Sequence, residues 1–205
     1  MIKIEKTEVI GWEAAIRGMR NPMNSWSMSD TELLHDVLQI GEKDLDLMKR
    51  LRNAGTDHRK YMRMIAVYVD ITAPLYWFKE FDTYKVGTVA NSCSTMHKIH
   101  AKEFTKDDFS REHLLNGSLF QLGMTIELLN EARDKFIETK EKVYWWQMIQ
   151  LLPSSYNQKR TVMLNYEVLA NIYKSRKNHK LDEWHDFCAW IESLPHSELI
   201  TGGDS

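Results

Sequence analysis

Apolar positions recur along this chain in two periods, and the switches between them outline its elements. Ile2 to Ile10 alternates as a half-buried strand does. Trp12 to Met19 continues as a short helix, and Gly18 to Trp26 is a loop whose Asn-Pro marks a turn. Ser29 or Asp30 then predicts a helix start, with Leu33, Leu34, Val37, Leu38, Leu45, Leu47 and Met48 at helical spacing as far as Arg52. Asn53-Ala54-Gly55 ends it. Arg63 to Ile71 is rich in β-branched and aromatic residues and reads as a strand. Thr72 to Phe81 reads as a helix entered through Pro74, and Asp82 to His100 as irregular polar chain. Asp107 to Thr139 predicts one or two helices and Tyr144 to Leu151 another. Leu152-Pro153 stops that helix, after which helical spacing is expected to run on to Arg176. Leu181 to Leu194 closes the chain as a short amphipathic helix. Few strands among long helices predict an α+β domain.

Length and charge narrow the classes. The 205 residues fit one domain, expected over residues 1–200, with TGGDS (201–205) as a disordered tail. A net charge of -2 gives no global field for nucleic acid or an anionic membrane, so neither is an expected partner. Cys93 and Cys188 are too few for a disulfide framework and lack metal-ligand spacing, which points to a reducing, cytoplasmic compartment. Charges interrupt the apolar N-terminal run, so it reads as neither signal peptide nor spanning helix.

The stretch from Leu152 to Arg176 carries the most chemistry. Asn165 and Arg176 are eleven residues apart, three helical turns, and fall on nearly one face; Asn171 lies between them. Polar groups set beside Val162, Leu164, Val168 and Leu169 suggest a helix lining a pocket. Elsewhere Lys98, His97 and His100 follow Ser94, and Arg59, Lys60 and Arg63 form the densest basic cluster. Asp57, His58 and Ser94 lack the strained elbow a hydrolase triad needs, and His179, Glu183 and His185 lack metal spacing, so no metal is expected.

The same stretch resembles the C-terminal signature of the flavin-dependent thymidylate synthases. That signature runs Leu-Pro, a nearby Tyr, Asn-x-Arg-x-Leu, then Asn-Phe-x-x-x-Arg. Leu152-Pro153, Tyr156, Asn165, Leu169, Asn171 and Arg176 match it, Tyr156 with a one-residue shift. Upstream, His58, Ile71-Thr72, Asn91 and Ser94 match further family positions. The resemblance implies an α+β fold with a mostly antiparallel sheet flanked by long helices. It implies a homotetramer whose pockets form between subunits and bind a pyrimidine nucleotide. It implies that Arg176 and Ser94 are catalytic, that Asn91, Ser94 and Arg176 contact substrate, and that His58, Asn165 and Asn171 face a flavin. FAD, methylenetetrahydrofolate and NADPH are the implied cofactors.

Several family arginines are replaced. The flavin-holding Arg-His-Arg falls opposite Glu80-Phe81-Asp82, two phosphate arginines are Met96 and Ile149, and the arginine of Asn-x-Arg is Glu167. A carboxylate ~4 Å from a phosphate costs about 4 kcal/mol at an effective dielectric of ~20. Two alternatives to the enzyme therefore stand beside it: a phage-type protein that sequesters a nucleotide without catalysis, and a structural homo-oligomer.

Overall fold

The computed structural model describes residues 2–202. Its helices are α1 (Trp12–Arg20), α2 (Glu42–Asn53), α3 (Leu75–Phe81), α4 (Asn116–Thr139), α5 (Lys142–Leu151), α6 (Tyr166–Arg176), α7 (Asp182–Glu192) and α8 (Glu198–Thr201). The strands β1 (Lys3–Ile10), β4 (Ala66–Pro74), β6 (Asn157–Asn165) and β5 (Val89–Ser92) form, in that order, a mostly antiparallel sheet. The expected α+β class is what is found. No described helix is long and apolar enough to cross a membrane. Residues 203–205 of the expected tail lie outside the described residues, while Thr201 ends α8 and Gly202 turns left-handed after it.

Two sequence expectations give way. The helix expected from Ser29 to Arg52 is a hairpin followed by a helix. Strands β2 (Glu32–Leu34) and β3 (Val37–Gln39) pair Leu33 with Leu38 and Leu34 with Val37. The link His35-Asp36 has φ of 50° and 62° at its two residues, the twist a two-residue hairpin turn requires. Asp30 does cap a helix, but at a distance: its carboxylate accepts from the Lys43 and Asp44 amides of α2, at 2.9 and 3.1 Å. A Cβ on Gly41 would lie 2.2 Å from that carboxyl group, so the cap requires glycine there.

The second correction falls in the most informative stretch. Residues after Pro153 do not run helically; they form β6 and then α6. Gln158, Val162 and Leu164 are buried between exposed Lys159 and Thr161, a period of two that opposes a helix. Asn165 is extended (φ -137°), and its side chain accepts from the Val168 amide at 3.0 Å, so the helix begins there. Smaller shifts follow the same logic. The strand expected from Arg63 starts at Ala66 behind a 3-10 helix at Lys60–Met64, and β5 emerges inside the segment read as irregular.

The chain divides into two compact units. The first comprises residues up to Lys3, Asp70–Thr83 and Asn91–Thr161. Its core gathers Leu122, Ile126, Leu129 and Ala132 of α4, Met148 of α5, and Ile99, Phe104 and Phe109 from the connecting segment. Each of these Leu, Ile, Met and Phe side chains contributes ~1.5–3 kcal/mol over an exposed one, and Ala132 less. On α3, Trp77 stacks on Phe81 with centroids 5.0 Å apart.

The second unit holds Ile4–Val69, Tyr84–Ala90 and the chain from Val162. Fully buried there are Met48, Tyr61, Met62, Tyr166, Leu169, Ile172, Trp184, Phe187, Ile191 and Leu199. Asp44 is also fully buried, and accepts from Arg20 Nε at 2.6 Å, Ser29 Oγ at 2.6 Å and Thr31 Oγ1 at 2.7 Å. Burial alone would raise its pKa, but the bonds from Ser29, Thr31 and Arg20 together hold the carboxyl below its ordinary value. Arg20 is therefore committed to a structural partner.

Candidate functional site

The first unit contains a cavity of about 760 Å³, within the size range of small-molecule sites. Its walls come from the turn after β5 (Cys93, Ser94, Thr95, Lys98, Ile99), the start of β6 (Tyr156 to Lys159) and Thr72 of β4. The turn is held from both sides. Ser94 Oγ accepts from the Met96 and His97 amides, at 3.2 and 2.9 Å, as a serine opening a turn does. The Cys93 amide donates to the Lys159 carbonyl at 2.9 Å, and Gln158 Nε2 donates to the Cys93 carbonyl at 2.7 Å. Ser94 Oγ thus spends its acceptor capacity on backbone and keeps its proton to donate to a ligand.

The cations of the cavity are not equivalent. Lys102 is paired with Asp108, and Lys159 Nζ lies 2.9 Å from Asp70 Oδ2. Lys98 has no side-chain partner among the described residues, so its ammonium is a charge available to an anionic ligand. Of the basic residues following Ser94, Lys98 lines the cavity; His100 instead packs edge-on to Phe136 at 4.9 Å. Burial, with Asp108 and Cys93 nearby, pushes the Tyr156 phenol up, so it stays protonated. Asn91 sits exposed on β5, three residues from Ser94.

The remaining expected site residues are in the second unit, at three separate places around α6. Asn165 caps the helix, and its amide nitrogen lies against Gly87, where an added Cβ would come within 3.1 Å. Gly87 has φ 80°, so both backbone and space demand glycine there. Arg176 Nε donates to Tyr84 Oη at 2.8 Å, and its guanidinium lies 4.8 Å from the ring centroid of buried Trp184. Asn171 Oδ1 accepts from Arg59 Nη2 at 3.4 Å. His58 is exposed in the turn before Arg59. Asn165 and Arg176, expected on one face of a continuous helix, instead cap α6 and end it, and each is engaged by the protein itself, Asn165 at Gly87 and Arg176 at Tyr84.

Two charges expected to be adverse or idle find each other. Arg59 Nε lies 2.8 Å from Glu167 Oε2, an ion pair with both side chains largely buried. The carboxylate that replaces the family arginine is therefore neutralised by a guanidinium from the turn before β4. Sequence spacing held no signal for that pairing. The flavin-binding triplet fares differently. Phe81 is buried in the aromatic cluster of α3, and the Asp82 carboxylate is bound to Arg160 Nη1 at 2.7 Å. These residues supply no cation for a flavin diphosphate, so they do not fit a flavin held in the family's manner.

The cavity also contains residues that sequence reasoning passed over: Asn157, Gln158, Lys159, Lys102 and Cys93. Reading residues 157–165 as a strand would have set Asn157 and Lys159 on one face, because alternate strand residues share a side.

No protein-family model matches the chain, and no curated protein matches it. Solved structures do. Thymidylate synthase X (ThyX) from Helicobacter pylori with FAD and dUMP aligns with a TM-score of 0.70 at 17% identity, covering 100% of this chain and 98% of that one. A UMP/dUMP methylase, PolB from Streptomyces cacaoi, bound with 5-Br UMP aligns with a TM-score of 0.63 at 13% identity, covering 98% and 94%. The same methylase bound with 5-Br dUMP gives 0.66 at 13% identity, covering 98% and 95%. At these identities the likeness is one of fold, and it runs the length of both chains. The chain has the fold of the flavin-dependent thymidylate synthases, in a divergent form.

Proposed function

We propose that this protein binds a pyrimidine nucleotide in the cavity beside Ser94, with Lys98 taking the phosphate and Ser94 donating to it. The observation that carries this reading is that one cavity of about 760 Å³ is lined both by an ammonium with no partner among the described residues and by a hydroxyl donor. The fold supports it, since the solved structures of the same fold hold dUMP or 5-Br UMP. Tyr156 closes one wall as a protonated phenol, and that wall is fixed in shape because the Gln158 amide is held by the Cys93 carbonyl and Arg160 Nε, and the Asn157 Oδ1 by Ser110 Oγ. A homotetramer with pockets completed between subunits belongs to the same proposal.

Catalysis through a flavin is not part of it. Phe81 and Asp82 offer a flavin no cation, Asn165 is spent on a helix cap, and Arg176 on an aromatic cradle. The second reading, a full flavin-dependent methylating enzyme, rests on the fold alone, one of whose solved members holds FAD and dUMP. A visible spectrum of the fresh protein and a titration with dUMP and UMP separate the two. A colourless protein whose melting temperature climbs with dUMP concentration, and does so far less in Lys98→Ala, supports nucleotide binding. A yellow protein puts the flavin enzyme in its place. A colourless protein with no response to either nucleotide removes both and leaves a structural oligomer.

A further inference from the structure

Asp82 falls where the family carries its flavin triplet, yet it starts a row of bonded side chains that ends at the Ser94 turn. Arg160 and Gln158 are two apart on β6 and so share one face of the strand. Arg160 Nη1 donates to Asp82 Oδ1 at 2.7 Å, and its Nε donates to Gln158 Oε1 at 3.0 Å. The guanidinium carbon also lies 3.8 Å from the centroid of the buried Phe78 ring. Gln158 is buried and passes the constraint on, its Nε2 donating to the Cys93 carbonyl at 2.7 Å.

A guanidinium on one side and a carbonyl on the other leave the Gln158 amide one orientation, because turning it over would set its oxygen against the Cys93 oxygen. The Cys93 carbonyl and the Ser94 amide belong to one planar peptide, so fixing the first fixes the direction of the second. Cys93 is held on its other side too, its amide donating to the Lys159 carbonyl at 2.9 Å. From that base the turn runs through Ser94, is tied at the Met96 carbonyl by Trp145 Nε1 at 2.9 Å, and ends past Lys98 at buried Ile99. The hydroxyl and the ammonium that meet the phosphate thus stand on a segment whose first peptide is set by Gln158. Arg160 itself does not line that cavity, and its charge is taken by Asp82. Its effect on a ligand runs through Gln158.

We propose that Arg160 is a positioning residue for the anion-binding turn: by fixing Gln158, and through it the Cys93–Ser94 peptide, it sets the placement of Ser94 and Lys98. This deepens the nucleotide reading given above and rests on it. The test compares the parent with Arg160→Met, which keeps a stem over Phe78 and removes the fork. Asn130→Ala is the control, because it removes two bonds to the Phe104 backbone in the same unit and leaves the row intact. Arg160→Lys is used if Arg160→Met does not fold, since an ammonium lacks the fork that holds Asp82 and Gln158 together. Two readouts are taken below the melting range: hydrogen exchange of the backbone amides of residues 94–98 without ligand, and calorimetric titration with dUMP and with UMP. The expected result in Arg160→Met is faster exchange in that segment and nucleotide binding weaker by about tenfold or more. Asn130→Ala shows neither change, however much it lowers the melting temperature. An arginine with a structural role only would lower the melting temperature and leave both readouts at parent values, which overturns the proposal. So does faster exchange with affinity within about twofold of the parent, or an equal effect in Asn130→Ala. A parent that binds neither nucleotide removes the nucleotide reading instead, and the exchange of the turn then decides alone whether Arg160 positions it.

Discussion

Replacing Arg176 by alanine separates a structural arginine from a ligand-binding one. The substitution removes the 2.8 Å bond to Tyr84 Oη and the contact over Trp184, a ring with no exposure. A hydrogen bond from a charged donor contributes ~1.5–3 kcal/mol and a cation over an indole ~0.5–2 kcal/mol. Both come from one guanidinium that is only half-buried, so they overlap and are partly screened; about 2 kcal/mol is the expected loss. For a chain of this size that lowers the melting temperature by about 4–8 °C. Calorimetry measures it, and a double-mutant cycle with Tyr84→Phe isolates the Arg-Tyr part, expected near ~1 kcal/mol. A variant that melts within ~1 °C of the parent while losing its nucleotide response refutes the reasoning. Arg176 would then be free to serve a ligand, as the family signature implies.

Three further outcomes follow from the geometry. Asp44 has a depressed pKa, so the stability it contributes is complete above the ordinary carboxylate pKa of ~3.9 and is lost as pH falls through its lower folded value. Melting curves taken from about pH 6 downward through the ordinary carboxylate range should show a steep acid decline that Asp44→Asn flattens; parallel curves would disprove it. Asn165→Ala should cost about 1 kcal/mol through loss of the bond to the Val168 amide, whatever ligand is present. Denaturant unfolding measures this, and a change under about 0.3 kcal/mol would mean the cap is dispensable. The two cysteines should differ sharply in reactivity. Burial, helped by Glu192, pushes the Cys188 thiol up to about 11, whereas Cys93 is exposed on the Ser94 cavity. Mass spectrometry after brief alkylation should find Cys93 labelled and Cys188 intact, with dUMP slowing the reaction at Cys93; equal labelling of both contradicts this.

Much of the scaffold was legible in local pattern. Helices α1, α3, α5 and α7 follow from periodicity, because each turns buried side chains to the core of its own unit; β1 follows from its alternation and the α+β class from the mix of elements. The errors arose where one pattern suits two structures. Leu33, Leu34, Val37 and Leu38 satisfy helical spacing and also pair across a hairpin, and the left-handed His35-Asp36 turn carries no glycine to announce itself. Ser29 or Asp30 does not start a helix; Asp30 instead accepts from the first-turn amides of α2, which begins after Gly41, because the hairpin doubles the chain back.

The matched positions of the C-terminal signature were enough to name a fold that later proved right along the whole chain. They rest on residue identity at fixed spacing, which sequence preserves directly. The state of each group could not be read the same way. Whether Glu167 repels a ligand depends on Arg59, Arg176 is claimed by Tyr84, and Lys98, unlike Lys102 and Lys159, has no carboxylate partner among the described residues. Those outcomes are set by which distant side chains arrive within about 3–4 Å, because ion pairing and hydrogen bonding fall off steeply beyond contact. Sequence determined which charges this protein owns; folding alone determined which of them are already spent.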